Sequence, residues 1–252
     1  MKVIDYIRSK LRLEKLHMTL IDPEKLSPKE CANIAYLAFL AGTDAVMVGG
    51  STGIDADNLD SSVQAMKDKV PIPIIQFPSH SKALSSNFDA IYFMSLLNSK
   101  DIKYIIGEQM MASPIIKDIG IETIPMGYVI VEPGMKVGEM GDADPVKRND
   151  LKTAIGYALA AEFLGMKFVY LEAGSGAPEP VPPEMIEAVK NELSIPLIVG
   201  GGIRDAKAAS RISEAGADIV VTGTIVELSK DVEGALRNIV KGVKSTTIIN
   251  RF

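Results

Sequence analysis

Eight short β-branched runs, apolar throughout rather than alternating, and most of them followed by a stretch of helical periodicity, predict one parallel α/β TIM barrel, (β/α)8, spanning residues 1–252 as a single domain. The runs are residues 18–21, 45–48, 72–76, 90–94, 123–131, 168–171, 196–199 and 219–221. A strand without polar alternation belongs in a sheet covered on both faces, and eight such strands favour closure over an open, doubly wound sheet. A chain of 252 residues can bury one substantial core, and no Pro/Ser-rich linker, charge block or low-complexity tract divides it.

Residues 1–16 mix Lys2, Asp5, Arg8, Lys10, Arg12, Glu14 and Lys15 among apolar residues, which suits a helix and not a secretory leader. Ser27-Pro28-Lys29-Glu30 supplies an N-cap serine, proline at the first helical position and a capping-box glutamate, so a helix should run from there to about Ala41. Gly42 then ends it and Asp44 opens the next strand. The same layout recurs, residues 41–49 matching residues 215–223, with a looser version over 165–172. After the third strand, Pro78, Ser79, His80, Ser81, Ser85 and Ser86 leave little room for a helix, so one barrel helix should be replaced by a loop there. Asp142 and Asp144, ahead of Pro145, are expected to cap the helix entering residues 147–164.

The chain is 47% hydrophobic and 23% charged, and no apolar run approaches the ~18 residues that cross a bilayer, so no integral membrane segment and a cytoplasmic location are expected. A net charge of −5 without a basic cluster argues against nucleic acid as a partner. Cys31 is the only cysteine and His17 and His80 the only histidines, which excludes a disulfide framework and a Cys/His zinc site. Any metal must be held by oxygen. Cys31 itself reads as a small buried apolar residue, and His80 as part of a solvated loop.

Active sites of such barrels lie at the C-terminal ends of the strands, and here those ends are polar or glycine-rich. Gly200-Gly201-Gly202 after the seventh strand and Thr222-Gly223-Thr224 after the eighth offer backbone N–H groups unobstructed by Cβ atoms, beside expected helix N-termini, and so read as a phosphate cradle; plain tight turns are the alternative. Asp22, fixed by Pro23, either caps the next segment or joins Ser51 in holding Mg²⁺. Glu172, ahead of Ala173-Gly174-Ser175-Gly176, suits a general base, against the alternative of an ion pair. Tyr170, two positions earlier on the same side, either orients a substrate hydroxyl or fills the core. The methionines, Met94, Met110, Met111, Met126, Met135 and Met140 among them, either line a pocket for a flexible apolar chain or, for most, fill the core.

Taken together, His17-Met18-Thr19-Leu20-Ile21-Asp22-Pro23, Gly49-Gly50-Ser51, Tyr128 to Gly134, Tyr170-Leu171-Glu172-Ala173-Gly174-Ser175-Gly176, Gly200 to Arg204 and Thr222-Gly223-Thr224 resemble the geranylgeranylglyceryl phosphate synthase family, in the right order from His17 to Glu227. The resemblance implies transfer of a prenyl group, geranylgeranyl for preference, from its diphosphate to the 3-hydroxyl of sn-glycerol 1-phosphate in phospholipid synthesis. It implies Mg²⁺ on Asp22 and Ser51, and glycerol phosphate on Tyr170, Leu171, Glu172, Ala173, Gly174, Ser175, Gly176, Gly201, Gly202, Gly223 and Thr224. Glu172, with Tyr170, would serve catalysis, and a homo-oligomer is implied. Two other readings share the terminal glycine turns: a phosphate-handling barrel isomerase or lyase of amino-acid biosynthesis, and a non-catalytic barrel that only binds a phosphorylated metabolite. The first would need a paired acid and base or a Schiff-base lysine, and no lysine occupies a strand end.

Overall fold

A computed structural model of the chain describes residues 1–49, 56–78 and 84–246. Eight parallel strands close into a barrel in sequence order: β1 (Leu16–Ile21), β2 (Ala45–Val48), β3 (Ile74–Gln76), β4 (Ala90–Leu96), β5 (Glu122–Ile130), β6 (Phe168–Glu172), β7 (Leu197–Gly200) and β8 (Ile219–Thr222), with β8 pairing back to β1. Side chains alternate across the strands, as the pleat requires. Met18, Met47, Ile75, Tyr92, Tyr128, Phe168, Tyr170 and Ile198 fill the interior. Val129, Val169, Leu171, Val199 and Val220 face the surrounding helices.

The helices are α1 (Val3–Leu11), α2 (Pro28–Ala41), α3 (Ala56–Lys67), α4 (Glu108–Ile119), α5 (Met135–Met140), α6 (Leu151–Phe163), α7 (Pro183–Glu192), α8 (Ala206–Glu214), α9 (Thr224–Leu228) and α10 (Val232–Lys244). The capping box before α2 forms as the sequence demands, Ser27 accepting from the Glu30 amide and Glu30 from the Ser27 amide, with Gly42 ending the helix at φ 96°. Helix α1 closes the bottom of the barrel, placing Val3, Ile7 and Leu11 in the interior core, and its first amides donate to Glu122 at 2.6 and 3.0 Å. The repeated sequence at residues 41–49 and 215–223 builds the same joint twice. Asp44 accepts the His17 amide at 3.0 Å and Asp218 the Leu197 amide at 2.8 Å, each aspartate tying its strand to an earlier one. Each is met by two lysines, Lys10 and Lys244 at Asp44, Lys15 and Lys190 at Asp218.

No helix occupies the described residues between β3 and β4, in keeping with the expected loop; Ser79, His80 and Ser81 lie outside the described residues. One capping expectation is corrected. Helix α6 begins only at Leu151 and is capped by Asp150, whose Oδ1 accepts from the Thr153 amide at 3.1 Å. Asp142 instead turns the chain at φ 44° and pairs with Lys100, while the Asp144 backbone is bound by Asn98. The turn after Asp144 keeps to the β5 edge, Val146 bridging to Val131, which postpones the helix. Cys31 is fully buried, as expected of a small apolar residue.

Candidate active site

Strand β6 puts Phe168, Tyr170 and Glu172 on the inner side, so the Glu172 carboxylate arrives at the mouth of the barrel, 7% exposed. The amide of Gly174 donates to its Oε1 at 2.6 Å, and the hydroxyls of Tyr170 and Tyr128 hydrogen-bond the same carboxylate. Burial raises the Glu172 pKa above the usual carboxylate value, against the pull of those three donors. Burial first, and then the neighbouring Glu172 charge, push both tyrosine hydroxyls well above their ordinary range. They therefore remain donors rather than phenolates.

The glycines of the β7 turn are required by close approach. A Cβ on Gly200 would run into the Tyr170 hydroxyl, and one on Gly201 into the Glu172 carboxylate and the Gly174 backbone. Gly201 and Gly202 also adopt φ of 84° and 72°, where other residues are strained. This turn is not directly at a helix N-terminus, contrary to expectation: α8 starts at Ala206, and Asp205 caps it by accepting from the Ala208 amide at 2.8 Å. Gly223 does lie directly before a helix, the short α9. The loop after β6 meets that turn through Ser175 and Thr224, whose hydroxyl oxygens are 3.2 Å apart.

Asp22, Tyr170, Glu172, Ser175 and Gly223 open into one cavity of about 490 Å³. Its other end is mostly apolar, although Lys103, Glu108 and Gln109 also line the cavity. Tyr92, Phe77, Tyr128 and Tyr170 form an aromatic floor, with Tyr128 edge-on to Tyr170 at 5.1 Å and to Phe77 at 5.5 Å. From there the cavity passes over β4, beside the β3–β4 connection in which no described residue is helical, and continues between Leu84, Ile91, Phe93, Ala112 and Ile116 against the inner face of α4. Val137 and Met140 of α5 roof it.

The side chains of Leu171 and Ala173 point away from this space into the layer beneath the helices, so only their backbone could serve a ligand. Ser51 and Gly50 lie outside the described residues. Asp22 lines the cavity while its Oδ1 accepts from the Glu24 amide at 3.0 Å, so it caps the following 3-10 turn and faces the mouth at once. The methionines divide. Met126 is core and Met135 packs against the core, Met94 and Met140 line the cavity, and Met110 and Met111 are exposed on α4; with Met18, Met47, Met66 and Met185 also fully buried, most of the methionines fill the core as expected. Sequence reasoning gave no role to Tyr128 or Phe77. Extending inward parity along the long fifth run from Met126 to Tyr128 to Ile130 would have placed Tyr128 beside Tyr170, its partner in register. Phe77 follows its strand and carries no such signal.

The PcrB family profile matches residues 9–243. The chain belongs to that family. This PcrB-family chain is 52% identical over 245 residues to the geranylgeranylglyceryl phosphate synthase of Methanothermobacter thermautotrophicus, covering 97% of this chain and 100% of that one. It is 50% identical to the enzyme of the same name from Thermoplasma volcanium, with 99% of each covered. Among solved structures it is similar to (S)-3-O-geranylgeranylglyceryl phosphate synthase from Thermoplasma acidophilum in complex with sn-glycerol-1-phosphate, with a TM-score of 0.96, 48% identity, and coverage of 98% of this chain and 100% of that one. Thiamine phosphate pyrophosphorylase from Pyrococcus furiosus, at a TM-score of 0.59 and 16% identity over 91% of this chain and 96% of that one, shares the fold.

Proposed function

We propose that this PcrB-family chain is a prenyltransferase that moves a geranylgeranyl group from geranylgeranyl diphosphate to the 3-hydroxyl of sn-glycerol 1-phosphate, forming an ether bond. One observation carries the reading within the molecule: a mouth holding a buried carboxylate and glycine turns opens without interruption into an apolar channel between β4 and α4. That shape suits a small charged acceptor at one end and a long hydrocarbon at the other.

In this reading Gly201, Gly202, Gly223 and Thr224, with residues 170–176, hold the glycerol phosphate. Tyr170 and Tyr128 fix the Glu172 carboxylate, which accepts the proton of the 3-hydroxyl as its oxygen attacks C1 of the prenyl chain. The bond from C1 to the diphosphate oxygen breaks, and its electron pair leaves with the diphosphate. The aromatic floor and the channel keep water from C1, so the glycerol hydroxyl is the nucleophile within reach.

Mg²⁺ is the cofactor this chemistry calls for, and Asp22 with Ser51 would hold it. No group of three acidic, histidine or cysteine side chains that could hold a metal exists among the described residues. Asp22 supplies an oriented carboxylate at the cavity wall, which fits Mg²⁺, an ion that keeps water and shares its remaining positions with substrate phosphates. When bound there, the ion would offset the negative charge that gathers on the departing diphosphate. No described helix is long and apolar enough to cross a membrane, and we assign the enzyme to the cytoplasm as a homo-oligomer. The test is incubation with a ladder of prenyl diphosphates, both glycerol phosphate enantiomers and Mg²⁺, followed by mass analysis. The geranylgeranyl ether of the sn-1 phosphate should dominate; its absence overturns the proposal.

A further inference from the structure

We infer that Arg204 is a positioning residue for the acceptor: it locks the loop after β6 into the shape that receives the glycerol phosphate. The inference rests on the function proposed above. Nη2 of Arg204 donates to the carbonyl oxygens of Gly176 and Ala177 at 3.0 and 2.9 Å, so one exposed guanidinium from the β7 turn grips two successive peptides of the neighbouring loop. Opposite the first of those carbonyls, on the same peptide group, the Ala177 amide donates to Gly174 O at 3.1 Å and closes a tight turn. Arg204 thus holds the outer end of the peptide whose inner end shapes the turn. Ser175 and Gly176 form the centre of that turn, and Gly174 at its start gives its amide to Glu172. That peptide is thus held at one end by a charge-assisted bond from Arg204 and at the other by the turn hydrogen bond, with the next carbonyl held by Arg204 as well, and this sets the direction of the backbone around Ser175, which in turn reaches Thr224 across the mouth.

The outer half of the loop is held independently. Arg148 Nη2 donates to Pro180 O at 2.9 Å and pairs with Glu179 at 3.2 Å, and the backbone there packs against Gly202 so closely that a Cβ would not fit. Removing the Arg204 side chain should consequently loosen residues 174–177 and leave the barrel folded.

The experiment compares full-length wild type, Arg204→Ala and Arg204→Lys. Steady-state kinetics with geranylgeranyl diphosphate and glycerol phosphate are run beside calorimetric titration of each protein with glycerol phosphate alone. Arg204→Ala should raise KM and Kd for glycerol phosphate by about tenfold, equivalent to ~1.4 kcal/mol, with kcat and the KM for the prenyl diphosphate nearly unchanged. Arg204→Lys should recover part of the loss, because an ammonium can still donate to both carbonyls, and free guanidinium at low millimolar concentration should recover part of it in Arg204→Ala. An unchanged Kd for glycerol phosphate in a folded Arg204→Ala overturns the inference, as does a loss spread equally over both substrates and kcat with no rescue. A wild type that binds glycerol phosphate without turnover overturns the proposed reaction while the binding arm still decides the role of Arg204. A wild type that binds no glycerol phosphate overturns both.

Discussion

Glu172 keeps an ionisable carboxylate where water is scarce, and three donors make that tolerable. Because burial raises its pKa, the acid limb of a kcat profile should lie above the ordinary glutamate value of 4.5: turnover requires the base unprotonated and falls as pH drops through the raised value. Glu172→Gln should lower kcat by about 10²–10⁴-fold and leave glycerol phosphate binding in place by calorimetry, and unchanged turnover would remove the residue from the mechanism. Asp22→Asn should shift the Mg²⁺ titration of activity to much higher concentration, and an unshifted curve would count against the metal assignment. His17 poses the opposite problem. It is fully buried between Thr43 at 2.6 Å and Thr222 at 2.9 Å, and burial lowers its pKa from 6.5 to about 4. The unfolded chain takes up a proton below pH 6.5 that the folded protein refuses until about pH 4, so this residue's contribution is intact above 6.5 and declines as pH falls between those values. The loss should reach about 3 kcal/mol, and His17→Gln should flatten that part of the stability profile in denaturant titrations.

At the scale of elements, strands and caps were readable because their causes are local. The runs at residues 45–48 and 168–171 match β2 and β6 to within one residue, since an uninterrupted apolar run between glycines has few other fates. Ser27, Pro28, Glu30 and Gly42 specified both ends of α2. Asp142 and Asp144 misled because capping chemistry is common to turns and helices, and only the bridge between Val131 and Val146 decides which occurs. Of the channel only Met94 and Met140 were readable, as candidate lining for an apolar chain. Its wall joins Ile91 and Phe93 of β4 to Ala112 and Ile116 of α4, a contact that sequence spacing does not encode. Phe93 and Ile116 also border a second, open pocket of about 370 Å³ beside Lys117 and Thr123. Trimming either side chain should join the two spaces, so Phe93→Ala and Ile116→Ala should raise kcat/KM for diphosphates longer than geranylgeranyl relative to geranylgeranyl itself. Product mass analysis with mixed chains checks this, and an unchanged ratio in a folded variant refutes it.

Across the whole molecule, stability and chemistry occupy opposite ends of the barrel. The bottom is closed by α1 and braced by the Asp44 and Asp218 joints, whereas Asp22, Glu172 and the glycine turns stand at the top. Ile7→Ala should therefore cost about 2–5 kcal/mol in denaturant unfolding, with both KM values unchanged below the transition. The repeat of residues 41–49 at 215–223 was visible in the sequence because both copies serve this one mechanical purpose. The mouth was legible only in part: the glycines and Glu172 stand at strand ends, but Tyr128, Phe77 and Arg204 act through partners far away in the chain. The sector beside β3 and β4, where no helix stands among the described residues that join the two strands, bears on the product as well. A barrel clad on every side can admit only what fits within its radius, whereas a seam along one flank lets the reacting head sit inside while the hydrocarbon tail trails outward. The length of lipid that can be coupled is then set by the flank and not by the girth of the fold.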